Sequence, residues 1–136
     1  MIEIDHITLQ ALCHATESED KVLEALHVLY PHFKKQEATG HFGNPIYIFE
    51  AHVSRKKELR DLLSLVEKEL APQLGKNIRR RVDRKGNLYI RVDKQELACK
   101  NLVVNDRGDV KIVIHIQSYP FRLEDAIQYA EDLFSH

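Results

Sequence analysis

The sequence contains few of the residues that interrupt regular structure. Five glycines and four prolines are spread over 136 residues, and no low-complexity tract is present. This composition argues against a disordered tail or a long flexible linker. A chain of this length can bury roughly two-thirds of its unfolded surface around one core. The sequence therefore predicts one domain over residues 1–136.

Cysteine is also scarce. Cys13 and Cys99 are the two cysteines, and each lies within a short apolar run. Neither has a second cysteine at the spacing of a metal site. We therefore expect two buried free thiols rather than a disulfide or a zinc site.

Signals for secretion or membrane insertion are missing. Glu3 and Asp5 stand where a secretory leader would carry basic and then apolar residues. No apolar run approaches the roughly 20 residues that a membrane-spanning helix requires. We expect a cytoplasmic protein without membrane contact.

The motifs of common enzymes are missing as well. The chain has no Walker loop, no dinucleotide-binding glycine motif and no nucleophile elbow. Eight histidines are present, but no two stand at helical metal-ligand spacing. They are His6, His14, His27, His32, His41, His52, His115 and His136. We expect no catalytic residue, no metal and no cofactor.

Hydrophobic periodicity predicts the element order β-α-β-β-α-β-β-α. Strands are predicted over residues 2–13, 33–39, 46–53, 88–92 and 110–116, and helices over residues 16–30, 55–74 and 123–134. Thr16 and Glu19 form a capping-box pattern for the first helix. Residues 94–100 are ambiguous and could form one helical turn. Strand pairs without an intervening helix favour an α+β fold with a mainly antiparallel sheet and helices on one face.

The net charge of −1 hides an uneven distribution. Eight cations lie between Lys76 and Lys94, where Asp83 and Asp93 are the only acids, an excess of six positive charges. Residues 1–25 carry six acids and one lysine, an excess of five negative charges. Such polarity can steer a polyanion onto one face of a protein.

The basic segment carries most of the side chains that are predicted to contact a polyanion. Guanidinium groups form forked hydrogen bonds with phosphates, and Tyr89 offers a stacking face among them. The predicted phosphate contacts are Lys76, Arg79, Arg80, Arg81, Arg91 and Lys94. Two alternatives are a solvated basic surface and ion pairs with the acidic helices of the chain itself.

Two further segments have both structural and functional interpretations. The turn at residues 40–45 could present His41, Phe42 and Asn44 to unpaired bases, or could be a tight turn with Phe42 folded inward. His14 and Glu17 lie at a strand-to-helix junction. With His41 they could form a metal-dependent nuclease site, or Thr16 could simply cap the helix there.

Three motifs resemble a family of small archaeal proteins described as predicted RNA-binding proteins and predicted exosome subunits. They are His14-Ala15-Thr16-Glu17 with Lys21-Val22, Gly40-His41-Phe42-Gly43-Asn44-Pro45-Ile46, and Arg81-Val82-Asp83 with Leu88-Tyr89-Ile90-Arg91-Val92-Asp93-Lys94-Gln95. The resemblance implies a curved, mainly antiparallel sheet backed by helices, similar to the ribosomal large-subunit protein that contacts 5S RNA. It also implies RNA as a partner, with exosome proteins as further partners.

The residues and the resemblance together predict a non-catalytic RNA-binding protein that assists RNA processing or degradation. The alternative is a protein-interaction module whose basic face binds an acidic partner. The sequence leaves the oligomeric state open, a homodimer included.

Overall fold

Five strands form one sheet in the computed structural model, which describes residues 2–39, 43 and 45–135. The strands are β1 (Ile2–Cys13), β2 (Lys34–Thr39), β3 (Pro45–Val53), β4 (Asn87–Val92) and β5 (Val110–Ser118). They lie in the order β2-β3-β1-β5-β4, and each neighbouring pair is antiparallel. The predicted α+β class with a mainly antiparallel sheet is confirmed.

Four helices accompany the sheet in the described part of the chain. They are α1 (Glu19–Leu26), α2 (Lys56–Leu74), α3 (Lys94–Ala98) and α4 (Leu123–Leu133). Two 3₁₀ turns, Gly75–Asn77 and Arg79–Arg81, connect α2 to β4. The ambiguous segment after β4 is thus a short helix, and the rest of the predicted element order is confirmed.

β1 lies at the centre of the sheet, paired with β3 on one side and with β5 on the other, and alternate residues along it are apolar. Ile7, Leu9 and Ala11 are fully buried, and Ile7 has Val53 of β3 and Ile114 of β5 as its cross-strand partners. Burial of each large aliphatic side chain contributes about 1.5–3 kcal/mol. One face of the sheet therefore forms the floor of the hydrophobic core.

Helices α2 and α4 pack against this face of the sheet and complete the core. Leu62, Val66 and Leu70 recur at helical spacing along α2, and Ala126 and Ala130 do so along α4. All five belong to the same buried cluster as β1. The other face of the sheet carries polar and half-exposed side chains and is called the open face below.

Two local predictions were wrong. Ser18, not Thr16, is the N-cap of α1, because its extended backbone directly precedes the helix and its Oγ accepts a hydrogen bond from the Lys21 amide at 3.4 Å. Cys99 is exposed rather than buried, since it ends α3 while Leu97 fills the core position. Cys13 is a buried free thiol, as expected.

None of the helices in the described ranges is both long and apolar enough to cross a membrane.

Candidate nucleic-acid interface

The basic segment folds around β4, which is an edge strand of the sheet. The 3₁₀ turn Arg79–Arg81 leads into a bridge between Val82 and Leu88 of β4. Along β4, Leu88 and Ile90 face the core, whereas Tyr89 and Arg91 are exposed. Tyr89 and Arg91 therefore lie together on the open face of the sheet.

A shallow pocket of about 300 Å³ lies where the 3₁₀ turn meets β4. Three guanidinium-bearing residues and one aromatic residue contribute to its wall. It is lined by Arg80, Arg81, Val82, Asp83, Tyr89, Arg91 and Asp106. The fold thus brings four of the predicted RNA contacts together.

Arg81 is the most enclosed of these cations. Its side chain is 15% exposed, and its Nη1 lies 2.9 Å from Asp106 Oδ1. Its Nε is buried and has no hydrogen-bond partner within the described residues. Because Nε is closed off from solvent, Arg81 contributes to the pocket through its positive charge rather than through this donor.

Arg80 and Arg91 are the accessible cations of the pocket. Arg80 is exposed and forms no ion pair with any described residue. Arg91 is exposed and donates from Nη1 to the carbonyl oxygen of Gly108 at 3.1 Å, which anchors the side chain without neutralising it. Both guanidinium groups retain their charge for an external anion.

Asp83 organises the turn between the 3₁₀ segment and β4. Its carboxylate accepts hydrogen bonds from the Lys85 and Asn87 amides, each at 2.9 Å, and from the Tyr89 hydroxyl at 3.0 Å. Gly86 completes the turn at φ +85°, where a Cβ would lie 2.6 Å from the carbonyl oxygen of Ile116. The Tyr89 ring, 39% exposed, is held in place through its hydroxyl.

The hydrogen bonds around Asp83 shift the pKa values of Asp83 and Tyr89 in opposite directions. Partial burial disfavours the charge on Asp83, but the hydrogen bonds from Asn87, Lys85 and Tyr89 outweigh it and hold the pKa of Asp83 below its usual range. The hydrogen bond to this carboxylate in turn raises the pKa of Tyr89. Tyr89 therefore remains a neutral stacking group at physiological pH.

We expect Asp83→Asn to lower the free energy of unfolding by about 1 kcal/mol at neutral pH, because the carboxylate loses its charge-assisted hydrogen bonds. A carboxyl group whose pKa is lower in the folded than in the unfolded state stabilises the folded state. This stabilisation is complete above the unfolded pKa of about 3.9 and is lost as the pH falls through the folded pKa. Urea unfolding should thus give a constant difference from wild type between about pH 5 and pH 8 that narrows below about pH 4. A difference that persists unchanged in acid would contradict this.

Arg79 points away from the pocket. Its Nη1 and Nη2 lie 2.8 and 3.2 Å from the Glu124 carboxylate at the start of α4, and Nη2 lies 3.5 Å from Glu131. Arg79 therefore corresponds to the alternative interpretation of the basic segment, in which its cations form ion pairs with acidic helices of the chain itself.

Lys94 is likewise engaged within the chain. Its side chain is 11% exposed, and Nζ lies 2.7 Å from Glu17, 3.3 Å from Asp109 and 2.8 Å from the carbonyl oxygen of Leu12. Partial burial disfavours the charge on Glu17, but Lys94 and the His14 amide outweigh it and lower the pKa of Glu17. Lys94 therefore joins α3 to the end of β1.

His41, Phe42 and Asn44 lie outside the described residues, as does the side chain of Lys76. The two other members of the nuclease hypothesis, His14 and Glu17, lie beside Lys94 and Asp109, with His14 Nε2 3.4 Å from Asp109.

Further cations near β4 were not selected from the sequence. Arg84 and Lys85 occupy the exposed turn before β4, and Lys111 of β5 is the cross-strand partner of Arg91. Arg84 and Lys85 could have been chosen by proximity in sequence. The position of Lys111 depends on the strand register, for which local sequence carries no signal.

Comparisons with known proteins give a consistent result. A family model described as RNA binding matches residues 6–118. A protein of Pyrococcus abyssi that is named an RNA-binding protein is 31% identical over 140 residues, covering 93% of this chain and 91% of that protein. An uncharacterised protein of Methanocaldococcus jannaschii is 34% identical over 121 residues, covering 79% of this chain and 80% of that protein.

Solved structures extend the similarity to the whole fold. A DUF54 protein of Methanothermobacter thermautotrophicus superimposes with a TM-score of 0.86 at 27% identity, covering 96% of this chain and 98% of that chain. A protein of Sulfolobus solfataricus gives a TM-score of 0.69 at 24% identity over 96% of this chain and 97% of that chain, which shows the same fold.

Proposed function

Because this chain belongs to the RNA-binding family whose model spans residues 6–118, we propose that it binds RNA along the edge of the sheet formed by β4. The observation that carries this proposal is a cluster of six cations at that edge, here called the β4 basic edge. Its members are Arg80, Arg81, Arg84, Lys85, Arg91 and Lys111. Asp83 and Asp106 are the acids among them, which leaves an excess of four positive charges.

Each part of the edge has a distinct role in the proposal. Arg80 and Arg91 hold phosphate oxygens through forked hydrogen bonds, and Arg81 adds positive charge to the wall of the pocket. Tyr89 stacks on an adjacent base, a contact that favours unpaired RNA over a duplex. The ordered position of Tyr89 reduces the entropy lost on binding.

The other predicted contacts have secondary roles. Phosphate binding by Arg79 or Lys94 requires that their ion pairs with Glu124 or Glu17 be broken. His41, Phe42 and Asn44 remain candidates for base contacts, and Lys76 for a phosphate contact.

We propose further that the protein assists RNA processing or degradation without catalysing a reaction, in association with exosome proteins. The support for this role is the motif resemblance rather than any contact in the fold. The engagement of Glu17 by Lys94 disfavours a nuclease site at His14 and Glu17.

The test is a titration of the full chain against a labelled single-stranded RNA of about 16 nucleotides. We expect saturable binding at about 50 mM salt and an affinity that is roughly tenfold weaker or more at about 200 mM salt, because neutralised phosphates release counterions. Absence of binding at low salt would overturn the proposal. An acidic peptide of equal charge that competes as well as the RNA would favour the protein-interaction alternative.

A further inference from the structure

Three histidines from three strands lie side by side on the open face of the sheet. The ring of His6 on β1 stacks on that of His115 on β5, with centroids 4.7 Å apart and planes 16° from parallel. The ring of His52 on β3 lies on the other side of His6, with centroids 4.8 Å apart. The antiparallel register creates this row, because His6 is paired with His115 and Thr8 with His52.

A β-bulge adds a carboxylate to the row. The pairing of β1 with β5 shifts between Ile4 and His6, so Asp5 is the extra residue. Its Oδ1 lies 2.5 Å from His115 Nδ1, and its Oδ2 lies 3.2 Å from His6 Nδ1. Bulges are over-represented next to functional sites, where they redirect a side chain.

The ligand chemistry of this group is that of a metal site. One atom from each of Asp5, His6 and His115 lies within 4.8 Å of the other two. Imidazole nitrogen combined with carboxylate oxygen suits Zn²⁺ and neighbouring divalent transition metals. The three side chains are 26–32% exposed, which leaves the group accessible to an ion from solution.

We propose that Asp5, His6 and His115 bind a divalent transition-metal ion such as Zn²⁺. The ion binds the imidazole nitrogen that faces the carboxylate, and the single N–H of the neutral ring is then carried on its other nitrogen. Metal binding here is independent of RNA binding at the β4 basic edge. The sequence predicted no metal site, because the search there was for ligands on one helix. Asp5 and His115 are instead 110 positions apart and come together through strand pairing.

A second group of similar composition does not support the same proposal. His14, Glu17 and Asp109 also lie close together. However, the Lys94 ammonium lies 2.7 Å from Glu17 and 3.3 Å from Asp109, so these carboxylates already have a cation. His14 therefore provides a matched control for the proposed site.

The experiment is calorimetric titration of the EDTA-treated full chain with ZnCl₂, together with the visible spectrum of its Co²⁺ complex. We expect one bound equivalent and a Co²⁺ spectrum typical of nitrogen and oxygen ligands. His6→Ala and His115→Ala should each weaken binding by about tenfold or more, whereas His14→Ala should bind like wild type.

Thermal unfolding in EDTA identifies any alanine variant that has lost its fold. The titration is then repeated with Asp5→Asn, a substitution that preserves side-chain shape, in place of that variant. We expect Zn²⁺ to raise the melting temperature of wild type and of His14→Ala, but not that of His6→Ala. Absence of Zn²⁺ binding by wild type would overturn the proposal. Equal affinity of wild type and folded variants of His6, His115 and Asp5 would do so as well.

Discussion

Replacing Arg80 and Arg91 together with alanine should weaken binding of a single-stranded RNA by about 30-fold or more. Each charge-assisted hydrogen bond contributes about 1.5–3 kcal/mol, and the exposure of both side chains reduces our expectation to about 1 kcal/mol for each. The dependence of log affinity on log salt should become shallower by roughly 1.4, because two fewer counterions are released from a single strand. Anisotropy titrations at several salt concentrations measure both quantities.

The matched control is the double variant Lys56→Ala and Arg60→Ala. These two exposed cations lie on α2, outside the β4 basic edge, and the variant loses the same net charge. We expect less than about a threefold change in affinity for this control, since surface charges away from the contact act only through a screened field. Equal losses in both double variants would mean that total charge, rather than the β4 basic edge, determines affinity.

We expect Lys94→Ala to lower the free energy of unfolding strongly and to leave RNA affinity unchanged, the reverse of what we expect for the Arg80 and Arg91 double variant. The ammonium group is almost enclosed by Glu17, Asp109 and the carbonyl oxygen of Leu12. Removing one partner of a buried ion pair costs about 3–5 kcal/mol, and the partial exposure of both carboxylates reduces our expectation to about 2 kcal/mol. Urea unfolding at neutral pH measures this change.

Lys21→Ala is the control for the stability measurement, because Lys21 is an exposed lysine on α1. It should change the free energy of unfolding by less than about 0.5 kcal/mol. RNA titrations of Lys94→Ala are carried out at low temperature, where we expect the variant to remain folded. A stable Lys94→Ala variant that has lost RNA affinity would show that Lys94 contacts phosphate after all.

Local sequence patterns were sufficient for the fold class. Alternation of apolar residues in β1 and β5 predicts strands with one buried face, and Ile7, Leu9, Ile112 and Ile114 are fully buried as that pattern requires. The helical spacing of Leu62, Val66 and Leu70 similarly predicts α2. These patterns are reliable because a residue's neighbours within one element determine its face.

Charge density along the chain was a weaker guide to the site. Arg79, Arg80 and Arg81 are consecutive, yet the 3₁₀ turn directs Arg79 to Glu124 of α4 and Arg81 to Asp106. Their acidic partners are distant in sequence, so no local pattern could reveal the pairing. The position of Lys111 beside Arg91 likewise follows from the register of β4 and β5.

The histidine row illustrates the same limit. His6, His52 and His115 have no common spacing, and their proximity results from the pairing of three strands. The bulge that places Asp5 beside them interrupts the alternation of β1, which the sequence predicted as a regular strand. Features that depend on register and bulges require the three-dimensional fold.

The most direct test of RNA binding at the β4 basic edge is a map of backbone amide chemical shifts during titration of the isotope-labelled chain with single-stranded RNA. We expect the largest changes at residues 79–91 and at Lys111, and small changes along α2. Changes centred on another surface, such as residues 118–132 around the exposed ring of Tyr119, with residues 79–91 unaffected, would contradict the proposed interface.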